Sequence, residues 1–385
     1  MTRPGRRTGA ALALTAGLLA AGCGAAAPAS PAAGAAGASA PSAPAAPLTT
    51  ASGSWAVMPM AGPGGQQPVS WQLFTRPAGA ASWKLATPAG VDDSGGLVVV
   101  GAGGRSLVVA QRPSQALTFT PLTATVDGGA AWAPANPLDG GIADVPDALA
   151  AAPGTGQMLA LLGNGAVRSA PAGAASWTAF TSERSLAATP AGRRCGLQRV
   201  TGLAYTLSGT PVLAGDCSRP GVAGIFAYAH GSWQAAGPAL PAALTRQPVS
   251  VLRITLTAPR IAALLTAGDG RSASLLAAWS ADDGSHWAVS RPLVPGRAGL
   301  ASASFGAGST VVVTLTGGRA AAVGAGSGWR FLPALPPGTA TVSPVGAGLL
   351  DALAVQRSRL TVWQLKPAAL TWTEQQSLTV PVQSG

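Results

Sequence analysis

From residue 51 onward the chain alternates short apolar runs with turn residues. Gly96-Leu-Val-Val-Val-Gly, Ser106-Leu-Val-Val-Ala and Ser309-Thr-Val-Val-Val-Thr-Leu are typical. Runs of four to eight residues, rich in β-branched side chains and bounded by Gly, Pro, Asp or Ser, fit strands and are too short for helices. The 385 residues include 52 Gly and 33 Pro. Breakers at that density exclude a coiled coil or helical bundle as the main architecture. No apolar run after residue 25 reaches the roughly 18 uninterrupted residues of a membrane span.

Tryptophan supplies a register. Trp83, Trp132, Trp177, Trp233, Trp287, Trp329 and Trp372 recur every 42 to 56 residues, mostly after a turn of small residues. One four-stranded propeller blade occupies roughly 40–50 residues. The pattern predicts an all-β fold, a seven-bladed β-propeller over 51–385; six or eight blades also fit the length. The first unit, 51–90, shows three strands, around 55–60, 69–75 and 83–86. The apolar run 378–382 is left over after the last Trp turn and is expected to join the first unit as its missing strand.

The N-terminus reads differently. Arg3, Arg6 and Arg7 precede a short apolar stretch, 8–20, which ends in Ala20-Ala21-Gly22-Cys23. The order of basic, apolar and small residues is that of an export signal. Its end resembles the lipobox of bacterial lipoproteins, which implies a signal peptide at 1–22, lipid on Cys23, and anchoring to the outer face of the cell membrane. Residues 23–50 are almost wholly Ala, Pro, Ser and Gly, without charge or aromatic side chain. They cannot bury enough apolar surface to offset ordering entropy and are expected to form a tether. In an exported chain, Cys195 and Cys217, the remaining cysteines, suggest one structural disulfide.

Net charge is +11, from 24 Lys+Arg against 13 Asp+Glu. Lys84 and Lys366 are the only lysines. This Arg-rich, Ala-rich composition looks like the coding bias of a GC-rich bacterium. The absence of Lys clusters and of a recognisable module argues against nucleic acid as the partner.

Two turns repeat in detail. Ser280-Ala-Asp282-Asp-Gly284-Ser-His-Trp287 follows the pattern S-x-D-x-G-x-x-W, and Thr125-Val-Asp127-Gly-Gly129-Ala-Ala-Trp132 follows it with Thr first. Thr75 to Trp83 and Ser169 to Trp177 look like decayed copies. The pattern resembles the Asp box of the sialidase-like, or BNR-repeat, β-propellers. That resemblance implies a box in the turn between the third and fourth strands, away from the central face. There the carboxylate would accept turn N–H groups, the Gly would take a positive φ, and the Trp would pack between blades.

Candidate chemistry is sparse. His230 and His286 are the only histidines, so neither a metal site nor a Ser-His-Asp triad suggests itself, and no cofactor is called for. The resemblance raises one catalytic alternative, a divergent sialidase-type glycoside hydrolase using Tyr and Glu. It would depend on Tyr205 or Tyr228 with Glu183 or Glu374, the only such residues present. The turns joining second to third strands carry Arg112, Arg219, Arg271, Arg319 and Arg357, with Asp216 and Asp269 partly offsetting them. Guanidinium groups suit carboxylates and phosphates. The expectation is a monomeric surface lipoprotein whose propeller binds an envelope protein or anionic glycan without transforming it.

Overall fold

The computed structural model describes residues 48–50, 53–61, 68–88, 97–103, 106–111, 122–134, 146–171, 177–269, 273–307, 309–346 and 348–380. Among these residues twenty-eight strands form seven antiparallel four-stranded units, at 48–85, 97–134, 148–182, 197–235, 249–289, 300–331 and 339–379. They are numbered here as blades 1 to 7. Within each blade the strands pair in chain order, the first innermost.

The apolar core is divided among the seams. Seven hydrophobic clusters each draw on two consecutive blades, and one joins blade 7 to blade 1. The period-2 geometry of a strand causes this, because successive side chains leave opposite faces of the sheet. In blade 1, Trp55 and Val57 face blade 2, while Ala56, Met58 and Met60 face blade 7. In blade 5, Ala263 and Leu265 face blade 4, while Ala262 and Leu264 face blade 6. Both faces are covered, so Ile261–Ala267 reads as a continuous apolar run.

Two expectations about the ends of the chain are corrected. The first blade takes its innermost strand from Leu48–Thr50, inside the segment read as tether; Leu48 pairs with Trp55 and Thr50 with Gly53. The same short strand touches the inner strand of blade 6 through one parallel pair, Leu48 with Phe305. The C-terminal strand does not join blade 1. Thr373–Thr379 is the outermost strand of blade 7, paired with Arg359–Leu365. Among the described residues each blade is therefore built from one continuous stretch of chain and no strand is shared to close the ring; residues 381 and 382 of the apolar run lie outside them.

The link from blade 3 to blade 4 holds two short helices, Glu183–Ala187 and Pro190–Cys195. Ser182 and Thr189 cap their N-termini through side-chain oxygens, Pro190 sits in the first turn of the second, and Gly196 ends it at φ 67°. These are standard start and stop signals. Cys195, at that helix end, is joined by a disulfide to Cys217, the last residue of the second strand of blade 4.

Candidate functional site

Strand order gives the ring two kinds of turn. Those joining strands 1–2 and 3–4 lie on one face. Those joining strands 2–3, and the links between blades, lie on the other.

The two acidic boxes occupy 3–4 turns, in blades 2 and 5. In blade 2, Asp127 Oδ1 accepts the N–H groups of Ala130 at 2.9 Å and Ala131 at 3.0 Å. The Thr125 hydroxyl donates to the same carboxylate at 2.7 Å and accepts from Gly129 N–H at 2.9 Å. In blade 5, Asp282 Oδ1 accepts from His286 N–H at 2.8 Å and from the Ser280 hydroxyl at 2.9 Å, while Ser280 Oγ accepts from Gly284 N–H at 2.8 Å. The Gly129 and Gly284 backbones both have φ 90°, which a glycine adopts without strain. The Ala131 N–H, then the Thr125 hydroxyl, hold the Asp127 carboxyl below its ordinary range. The His286 N–H and ring lower Asp282 to about 2. Carboxylates engaged in this way stitch the turn.

The tryptophans that close these turns rivet one blade to the preceding one. Trp287 donates its indole N–H to Ala236 O, just beyond blade 4, at 2.7 Å. Trp329 reaches Arg291 O, beyond blade 5, at 3.0 Å, and Trp372 reaches Pro333 O, beyond blade 6, at 3.3 Å. Trp132 packs against the blade 1 cluster around Trp55 and Trp71, but its indole nitrogen has no hydrogen-bond partner.

Trp83 follows the same rule with a different acceptor. In the ring, blade 7 precedes blade 1, and Trp83 Nε1 donates to the Asp351 carboxylate there at 2.8 Å. Arg76 Nη1 meets the same oxygen at 2.5 Å, and Gln364 Nε2 donates to the other at 3.1 Å. Asp351 is 1% exposed. Gln376, on the outermost strand of blade 7, accepts from Trp83 N–H at 2.7 Å and donates to Trp83 O at 2.8 Å. None of Asp351, Gln364 or Gln376 stands out in the sequence as a functional residue. The one signal was a lone acid inside the apolar run Leu349–Gln356.

Among the described residues no hydrogen bond joins Tyr205 or Tyr228 to Glu183 or Glu374. Glu183 Oε2 accepts from Val200 N–H at 3.1 Å. The Tyr205 hydroxyl is buried without a hydrogen-bond partner, and burial pushes its pKa up. Tyr228 packs its ring against Phe180 and Trp233, with centroids at 5.5 Å and 5.1 Å. Glu374 lies exposed on the outermost strand of blade 7. Among the described residues, no group of three His, Cys, Asp or Glu side chains could hold a metal.

On the other face, Arg219, Arg319 and Arg357 stand exposed at or beside the 2–3 turns of blades 4, 6 and 7. Arg319 lies over the Phe331 ring at 4.5 Å. Arg357 takes a positive φ of 57° at the tip of its hairpin. Of the acids expected nearby, Asp216 pairs with the exposed Arg199 at 2.9 Å, and Asp269 is exposed. Arg112, Arg271 and Cys23 lie outside the described residues.

No family model matches the sequence, and no curated protein matches it. Solved structures do. The Swd1 β-propeller domain from Myceliophteria thermophila aligns with a TM-score of 0.54 at 12% identity, over 84% of this chain and 96% of that one. U3-55K aligns with a TM-score of 0.51 at 13% identity, over 81% and 88%. YCF48 from Cyanidioschyzon merolae gives 0.46 at 16% identity, over 84% and 93%. The first two likenesses, at such identities, show the β-propeller fold and nothing further.

Proposed function

We propose that the chain is an exported, lipid-anchored, monomeric β-propeller that binds an envelope protein or anionic glycan without transforming it, on the face of its 2–3 turns. One observation carries the reading: the two faces spend their charges differently. The box acids Asp127 and Asp282 of the 3–4 turns are engaged by neighbouring N–H groups. Arg219 and Arg357 project into solvent from separate blades, and Arg319 stacks on an exposed aromatic ring. Guanidinium groups spread over several blades suit an extended partner bearing carboxylates or phosphates. The turn geometry of Asp127 and Asp282 supports kinship with Asp-box propellers, and the hydrogen bonding of Glu183 speaks against the sialidase variant of that kinship.

The anchor is tested by fractionating cells that produce Cys23→Ser. The reading expects release from the membrane fraction; full retention of a processed chain would count against it. The face is tested by capturing envelope material with the exported chain and with a variant carrying Arg219→Ser, Arg319→Ser and Arg357→Ser. Loss of anionic partners at an unchanged melting temperature is the expected outcome; identical capture by both would overturn it.

A further inference from the structure

A cavity of about 310 Å³ opens between blades 6 and 7, on the 3–4 turn face and so away from the Arg-bearing turns. Its walls are apolar or small: Val323, Gly324, Gly328, Pro344 and Leu350 among others, with Arg330 as the only charged lining residue among the described residues. Arg330 is exposed and makes no ion pair among the described residues.

The 3–4 turn of blade 6 explains the opening. Trp329 keeps the rivet to Arg291 O, and the fourth strand starts one residue later, as after Trp132 and Trp287. Counted from this Trp, the turn Gly324-Ala-Gly-Ser-Gly328 has lost the box carboxylate. Ser327 alone bridges it, accepting from Gly324 N–H at 2.9 Å. In blades 2 and 5 the N–H just before the Trp, from Ala131 and His286, donates to the box aspartate. Its counterpart here is the N–H of Gly328; Gly328 and Arg330 are both lining residues of the cavity.

We propose that this cavity binds a small apolar group ending in a free carboxylate, with the ligand carboxylate standing where the box aspartate stands in blades 2 and 5, held by Gly328 N–H and Arg330. The volume lies at the small end of ligand sites, roughly 300–1,000 Å³, and suits a peptide C-terminus or a short acyl chain. Both present the same chemistry. An apolar floor with one cation and no acid in its lining favours neither a cation nor a neutral sugar.

The full exported chain is titrated with N-acetyl-Ala-Leu, with its C-terminal amide, and with hexanoate, observing the methyl resonances of Val323, Leu349 and Leu350 by NMR. Saturable shifts are expected with the carboxylates, with affinity at least about tenfold weaker for the amide. Hexanoate binding as well as the peptide would point to any apolar carboxylate as ligand, and peptide binding alone to a chain end; both outcomes sustain the proposal. Arg330→Gln should weaken binding about tenfold. Gly328→Leu should weaken it by crowding the site, and the fold should tolerate the change, since a Cβ built there meets nothing within 4 Å. Absence of carboxylate binding, equal binding of the amide, or binding unchanged in both variants would overturn the proposal.

Discussion

The seam between blades 4 and 5 and the seam between blades 7 and 1 solve the same packing problem by different means. In the first, Trp287 lies half-buried over an apolar cluster and gives its indole N–H to a backbone carbonyl. In the second, Trp83 is 1% exposed and gives its N–H to a buried carboxylate that also holds Arg76. The first joins neighbours along the chain, which the connecting segment keeps close. The second joins residues about 270 apart in sequence, and among the described residues no strand crosses it. The ends of a ring need a specific link beyond apolar packing. Here that link is a charged network with Gln376 fastened to the backbone of Trp83. A carbonyl leaves no charge behind when its donor is lost; a buried carboxylate does.

The largest expected effect breaks the closing seam outright. Asp351→Ala strands Arg76 at a site where its side chain is 12% exposed, and should cost about 3–5 kcal/mol in chemical denaturation. Combining Asp351→Leu with Arg76→Met should recover most of that loss, because removing both charges removes the desolvation burden. A double variant as unstable as the single one would show that the network is held by something other than charge pairing. Next, Trp83→Ala should cost about 3–5 kcal/mol and Trp287→Ala less, about 2 kcal/mol, in keeping with their burial. Equal losses would erase the distinction between the seams. Gln376→Leu leaves the Trp83 N–H and C=O without partners, for about 1–3 kcal/mol. Hydrogen exchange should show the loss first in blades 1 and 7.

The smallest effect concerns pH. Asp282 is lowered from 3.8 to about 2, so its turn bonds add stability that is present above about pH 4 and fades as pH falls through 2. Asp282→Asn lacks this titration, so its melting temperature should fall less than the parent's between pH 4 and pH 2. Parallel curves would mean that the carboxylate contributes nothing to the turn.

The recurring Trp made the blades legible, because a large ring must fill each seam at the same point of its blade. The boxes were legible because their chemistry is local, confined to eight residues. The chain ends were not. Leu48-Thr-Thr is too short to display alternation and borders an Ala/Pro run. Thr-Glu-Gln-Gln-Ser-Leu-Thr, at 373–379, is polar because an outermost strand faces water, so the apolar run beside it looked the better strand. The closing network was invisible for a third reason. Asp351 finds Arg76 across 275 residues, and neither periodicity nor spacing encodes such a pairing. On the Arg-bearing face, the sequence located the turns but could not say which guanidinium groups stand free.

The central claim is a division of labour, with the acidic boxes of one face building the ring and the arginines of the other meeting the partner. The most direct test measures melting temperature and captured envelope material in parallel, for Asp282→Ala and for the triple Arg219, Arg319, Arg357→Ser variant. The account predicts that Asp282→Ala melts lower yet captures the same partners, while the arginine variant melts as the parent does and loses them. A normally stable Asp282→Ala that no longer binds, with binding intact in the arginine variant, would contradict it.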